Sequence, residues 1–146
     1  MSLRRAVLAD SAEVARLNRH VTRVSLPYLP DLHTPEEDLW FFSERLFLEN
    51  EVWVAEADGQ IVGYIAFKPG WISHLYIHPD HQGCGLGPEL LAKALEDGTA
   101  RELWTFQQNA RARRFYEMRG FELVRLTDGA DNEEKTPDAL YRWAGR

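Results

Sequence analysis

Three glycines at alternate positions, Gly83, Gly85 and Gly87, separate an apolar segment ending at Ile77 from the amphipathic stretch that begins Pro88-Glu89-Leu90-Leu91. No other feature restricts the fold as much. Glycine reaches backbone conformations closed to other residues and lets a ligand approach the main chain, so successive N–H groups in such a turn can converge on one point. The helix that follows adds unpaired N–H groups and the positive end of its dipole. Pro88 is tolerated in the first helical turn, where its missing N–H has no intrahelical role. A strand, turn and helix of this kind suit a phosphate or pyrophosphate. A purely structural glycine turn is the alternative.

Spelling separates the phosphate-binding readings. A P-loop ends in Gly-Lys-Ser/Thr, and neither a lysine nor a hydroxyl residue follows these glycines. A dinucleotide fold needs G-x-G-x-x-G after an early strand, but counting from Gly83 the third glycine position holds Pro88, and the motif lies in mid-chain. What remains is Gln82-x-x-Gly85-x-Gly87, preceded by Leu75-Tyr76-Ile77-His78-Pro79. This resembles the acetyl-CoA loop of the GNAT superfamily of N-acetyltransferases, Arg/Gln-x-x-Gly-x-Gly/Ala after a strand. Further on, Asn109 opens a segment that ends Phe115-Tyr116-Glu117-Met118-Arg119-Gly120-Phe121. It is similar to that family's second signature, in the same order and at the same spacing.

The residues support a helix there independently of the resemblance. Asn109 is a good N-cap, Gly120 a good C-terminal stop, and Ala112, Phe115 and Tyr116 share one face. Phe115 and Phe121 read as core aromatics. Tyr116 reads either as a third or as a functional hydroxyl.

The chain of 146 residues suffices for one continuous core, and a single N-acetyltransferase domain over 1–146 is expected. Nothing approaches the roughly 20 apolar residues of a membrane span. No apolar secretory segment follows Met1-Ser2-Leu3-Arg4-Arg5, so a cytoplasmic protein without membrane partners is expected. A net charge of −6 argues against a nucleic-acid surface. It is weakly compatible with a cationic acceptor. Arg111, Arg113, Arg114 and Arg119 on the Asn109 helix either face the CoA phosphates or form a solvated face. The single cysteine, Cys84, reads as a small turn residue rather than a nucleophile.

Along the chain, Leu3–Val7 reads as a strand, and a helix from Asp10 carries Val14, Leu17 and Val21 at helical spacing. Residues 26–33 hold two prolines and no period, hence a loop. Thr34-Pro35-Glu36-Glu37 spells a capping box, opening a helix rich in aromatics. An Asp58-Gly59 turn joins residues 52–57 and 61–67 as a hairpin. Strand 71–77, the glycine loop, helix 89–96, strand 102–106, the Asn109 helix and strands 121–126 and 139–143 complete the reading, with a polar loop over 127–138. The order β-α-α-β-β-β-α-β-α-β-β is that of the GNAT fold. The expected class is therefore α/β (α+β): a central mixed, mostly antiparallel twisted sheet of about seven strands with four helices.

The resemblance implies direct acetyl transfer from acetyl-CoA to a primary amine of a small-molecule or peptide acceptor. A noncatalytic acyl-CoA-binding or sensor domain of the same fold is the alternative. It implies that Leu75, Tyr76 and Ile77 offer backbone groups to pantetheine and to the thioester oxygen. It further implies that Gln82, Gly83, Cys84, Gly85, Leu86, Gly87 and Pro88 cradle the diphosphate, and that Asn109 contacts pantetheine in addition to, or instead of, capping. Tyr116 occupies the family's general-acid position. A phenol with a pKa near 10 suits proton delivery to a departing thiolate.

No motif transfers a general base. His74 shares a strand face with Tyr76 and titrates in a useful range, with Glu56, His33 and Tyr28 behind it. Tyr28, His33 and Trp40, with Phe41, are candidates to bind the acceptor. His74, His78, His81 and Cys84 are zinc-ligand types at short spacing, but Pro79 and the glycines break any shared helical face, and no metal is expected. Family members often pair, so a homodimer is among the expectations.

Overall fold

A computed structural model describes all residues, Met1–Arg146. Seven strands form one sheet in the order β1-β2-β3-β4-β5-β7-β6. They are β1 (Ser2–Arg5), β2 (Glu51–Ala57), β3 (Gln60–Lys68), β4 (Gly70–Ile77), β5 (Arg101–Phe106), β6 (Glu122–Thr127) and β7 (Asp138–Trp143). Every neighbouring pair is antiparallel except β4 and β5.

Four helices cover the sheet. α1 is Ser11–Ser25; α2 is Pro35–Phe41, continued by a π-helical stretch Phe42–Leu46 and a last turn Phe47–Glu49; α3 is Leu86–Leu95 and α4 Ala110–Glu117. Thr34 and Glu37 cap α2 reciprocally, as the sequence spells. The Asp58-Gly59 turn has positive φ at both residues, the requirement of a tight hairpin. Element ends fall within a few residues of the sequence reading. The largest shift is in α3, which begins at Leu86 rather than Glu89.

Each face of the sheet buries its own cluster. On one, Val14, Leu17 and Val21 of α1 meet Phe42, Leu46 and Tyr64. On the other, Leu86, Leu90 and Leu91 of α3 meet Ile65, Ile72, Tyr116 and Tyr141. Because both faces are covered, β3 reads almost continuously apolar instead of alternating.

A bulge adjusts this pattern. In β4, Phe67 pairs with Ile72 and Ala66 with His74, so Ser73 has no partner across the ladder. An extra residue bends the strand and switches its faces. Ile72 accordingly packs with Leu75 and Ile77 on the α3 side, while Tyr76 packs on the α1 side. The parallel pairing of β4 with β5 spans only Gly70↔Arg101 and Trp71↔Glu102. Beyond the bulge the two strands part, opening a cleft in the middle of the sheet.

The loop from 128 to 137 is held as firmly as an element. Thr127 bonds to Asp138; Gly129 N–H donates to Thr127 Oγ1 (3.1 Å); Asn132 Nδ2 donates to Thr136 O (2.7 Å) and Asp138 Oδ2 (3.0 Å). Gly129 has φ +84°, and a Cβ there would lie 2.4 Å from the Thr136 backbone. Gly129→Ala should therefore lose more than about 2 kcal/mol in urea unfolding, from left-handed strain plus a backbone clash. Gly59→Ala, with open space around a φ of +76°, should lose only the strain, roughly 1–2 kcal/mol.

Candidate active site

The glycine loop leaves β4 through a short 3₁₀ turn, Pro79–His81, where Asp80 N–H donates to His78 Nδ1 (3.0 Å). His20 of α1 stacks on His78, His78 N–H donates to Val62 O (2.7 Å) and Gln82 Nε2 to Ile77 O (3.1 Å), so the start of the loop is tied to α1 and to the sheet. Gly83 and Gly85 take φ of +79° and +92°. The backbone N–H groups of Gln82, Gly83, Cys84 and Gly85 donate to nothing within the chain. With the first N–H groups of α3, they form a donor set that fits an anion of diphosphate size.

Gly87 serves a different need. It lies in the helix, and a Cβ there would sit 3.1 Å from Phe115 Cε1, so α3 and α4 approach closely only because it has no side chain. Cys84 Sγ contacts His81 O at 2.7 Å, a turn contact, in keeping with a small turn residue.

The arginines of α4 separate. Arg113 Nε donates to Tyr141 Oη (2.9 Å), and Arg119 lies over the Phe115 ring while donating to Phe115 O. Arg111 reaches the glycine loop, its Nη2 3.9 Å from where a Gly83 side chain would begin, and makes no hydrogen bond or ion pair within the chain. The sequence could not choose among the four, because only the packing of α4 against the loop decides which one faces it.

Between the parting strands lies a narrow cleft of about 70 Å³, walled by Ser73 to Tyr76 of β4, Leu103 to Phe106 of β5, Asn109, Ala112 and Tyr116. Asn109 caps α4 by accepting from Ala112 N–H (3.1 Å) while also lining the cleft, so capping leaves its amide NH₂ available. Tyr116 is 7% exposed, and burial pushes its phenol well above the ordinary value; burial also pushes the Tyr76 phenol up to about 12. Both hydroxyls therefore keep their protons near neutrality.

The cleft opens into a chamber of about 630 Å³ with which it shares Leu26, His74, Tyr76 and Phe106. Its other walls come from α1, the 26–33 loop, α2, and Glu133 and Glu134 of the 128–137 loop. Trp40 and Phe41 line it while remaining 58% and 41% exposed. Where α2 passes into its π-helical stretch, Phe41 and Phe42 both pack near the His74 ring, with ring centroids 6.5 and 5.8 Å away. His33 stands at the rim, bonded to Glu133 and 3.7 Å from Glu37, and these carboxylates raise its pKa, Glu133 most. The Tyr28 hydroxyl is buried without a partner beside Phe106, and burial raises its pKa.

His74 is fixed from behind. Asn18 Nδ2 donates to Tyr64 Oη (2.9 Å), so the fully buried Tyr64 donates its own proton to His74 Nδ1 (2.8 Å). The buried Tyr64 proton has no other acceptor, which favours the Nε2–H tautomer of the imidazole, and desolvation lowers its pKa to about 4. A ring so held is a weak base; near neutrality it is a fixed donor through Nε2–H. Neither Asn18 nor Tyr64 stood out in the sequence, because their link to His74 spans three separate elements. Glu56 does not reach the site: it pairs with Arg4 (2.6 Å) and lines neither cavity. Nor do His74, His78, His81 and Cys84 gather. No three His, Cys, Asp or Glu side chains come close enough to hold a metal ion.

Residues 18–121 match the Acetyltransferase (GNAT) family, and the chain belongs to it. It is 40% identical over 81 residues to an uncharacterised N-acetyltransferase of Archaeoglobus fulgidus, covering 44% of this chain and 55% of that one. To the L-amino acid N-acyltransferase of Escherichia coli it is 31% identical over 108 residues, covering 66% and 62%. The chain thus spans just over half the length of these relatives. Its fold matches that of yncA from Salmonella typhimurium, solved with its cofactor acetyl-CoA, at a TM-score of 0.74 with 21% identity over 99% of this chain and 93% of that one. No helix is long and apolar enough to cross a membrane.

The lowered pKa of His74 has a measurable consequence. Between about 6.5 and about 4 the unfolded histidine binds a proton that the folded one refuses. Its contribution to stability is therefore complete above about 6.5 and is lost as the pH falls through that window. Nitrogen NMR should show a neutral Nε2–H ring that does not titrate between pH 5 and 8, and His74→Gln should flatten this part of the stability–pH curve. A ring titrating near its ordinary value would overturn the assignment.

Proposed function

We propose that this protein transfers the acetyl group of acetyl-CoA directly to a primary amine. The observation that carries the reading is the combination of free N–H groups at Gln82–Gly85, at the loop that follows β4, with the cleft between β4 and β5 and Tyr116 at the cleft wall. A diphosphate fits the first, and an extended pantetheine fits the second, where β4 past Trp71 has no strand on its β5 side and offers that edge for pairing. Arg111 adds a positive charge over the loop, placed for a CoA phosphate.

Acetyl-CoA supplies the thioester whose carbon–sulfur bond breaks as the carbon–nitrogen bond to the amine forms. The chain's part is electrostatic and positional. Backbone N–H groups in the Leu75–Ile77 stretch stabilise the oxygen that gains charge. Tyr116, protonated near neutrality and set in the cleft, gives its proton to the departing sulfur and recovers one from solvent. His74, oriented by Tyr64, holds the acceptor side of the chamber by its Nε2–H. The amine loses its proton to water in the open chamber.

Two variants test different parts of this reading. Tyr116→Phe should lower kcat by roughly 10²-fold or more while leaving acetyl-CoA affinity within about twofold; unchanged turnover would remove the acid role. Arg111→Ala should weaken acetyl-CoA binding by calorimetry. Equal binding by the variant would mean that Arg111 belongs to solvent.

A further inference from the structure

Resting on this reading, we infer that the acceptor is a cationic amine that carries no carboxylate beside its amino group and has an apolar body, held by Glu134. The inference comes from an accounting of charge around the chamber. Arg19 pairs with Asp31 (3.2 Å) and Asp38 (3.0 Å) and donates to His33 O; Arg23 pairs with Asp31 (2.6 Å). Glu37 is consumed by the cap of α2 and by His33, and Glu133 by His33. Glu134 alone among the lining charges has no ion pair and no side-chain hydrogen bond.

The nearest lysine in sequence does not neutralise it. Lys135, in a left-handed conformation, directs Nζ onto Ala130 O (2.7 Å). The hydrogen-bonded 128–137 loop therefore presents one uncompensated carboxylate to the chamber, close enough to the Tyr76 phenol to help raise its pKa.

A free amino acid would bring its own carboxylate to within a few ångströms of the amine it offers. The two cations that could receive that group, Arg19 and Arg23, already have their charge matched by Asp31, which they share, and by Asp38. The remaining walls, Leu26, Leu29, Trp40, Phe41 and Phe106, offer apolar contact. An arylalkylamine meets this wall and this charge together. The Escherichia coli relative is named for L-amino acids; the paired arginines and the unpaired Glu134 point this chain elsewhere.

The test compares phenethylamine with phenylalanine and tyramine with tyrosine, following thiol release from acetyl-CoA, with acetyl-CoA binding measured on the same protein by calorimetry. Each amine should exceed its amino acid in kcat/KM by at least about tenfold. Glu134→Gln should raise KM for the amines about tenfold and shrink the preference, while acetyl-CoA affinity stays; Glu134→Asp should restore part of it. Loss of fold alone would lower both substrates equally and would not move their ratio. Amino acids used as well as or better than amines, or a Gln variant with an unchanged ratio, would overturn this inference and leave acetyl transfer standing. Bound acetyl-CoA with no thiol release to any amine would overturn both readings, and no heat with acetyl-CoA would remove the reading beneath.

Discussion

The divergence of β4 from β5 is the constraint on which the site depends. Two parallel strands that stayed paired would close the sheet and leave no edge for a ligand. Here the unpartnered Ser73 bends β4 directly after its last pairing with β5. The same extra residue exchanges the faces of the strand, which turns His74 and Tyr76 toward the chamber and leaves Leu75 and Ile77 packed on the α3 cluster. One inserted residue thus both opens the cleft and decides which side chains face it.

Burial then sets the chemistry. A phenol or imidazole removed from water resists becoming charged. Tyr64, Tyr76 and Tyr116 accordingly hold their protons, and His74 stays neutral. The resulting lining is one of neutral donors, suited to stabilising charge that develops on a substrate. Charge itself is confined to the outer rim, where it is matched in pairs except at Glu134. The two walls of the chamber are shaped by different local devices. α2 is shaped by its cap and its π-helical stretch, whereas the 128–137 loop is held by a network of Thr, Asn and Asp side chains.

Much of this was legible without coordinates. The alternate glycines, the capping box at Thr34, the Asp58-Gly59 turn and the Asn109 cap are local signals, each acting through bonds that span four residues or fewer, and each lies where the sequence puts it. The helix and strand order followed from periodicity. Less legible were features whose partners are distant. Arg111 was one of four similar arginines; Glu56 looked eligible as a base until its pairing with Arg4 across β1 and β2 placed it elsewhere. His74 looked like a titratable histidine because nothing nearby in the chain announces Tyr64 or Asn18.

By itself, the sequence determined the elements, their order and the glycine-rich turn between β4 and α3, because caps, turns and glycine conformations are governed by steric and hydrogen-bond rules acting between near neighbours. Tertiary structure alone decided the bulge at Ser73, the tautomer of His74, the choice of Arg111 and the isolation of Glu134. Those depend on which groups from remote segments meet in a region of low dielectric. There, one contact more or less changes whether a group is charged, neutral or free to bind.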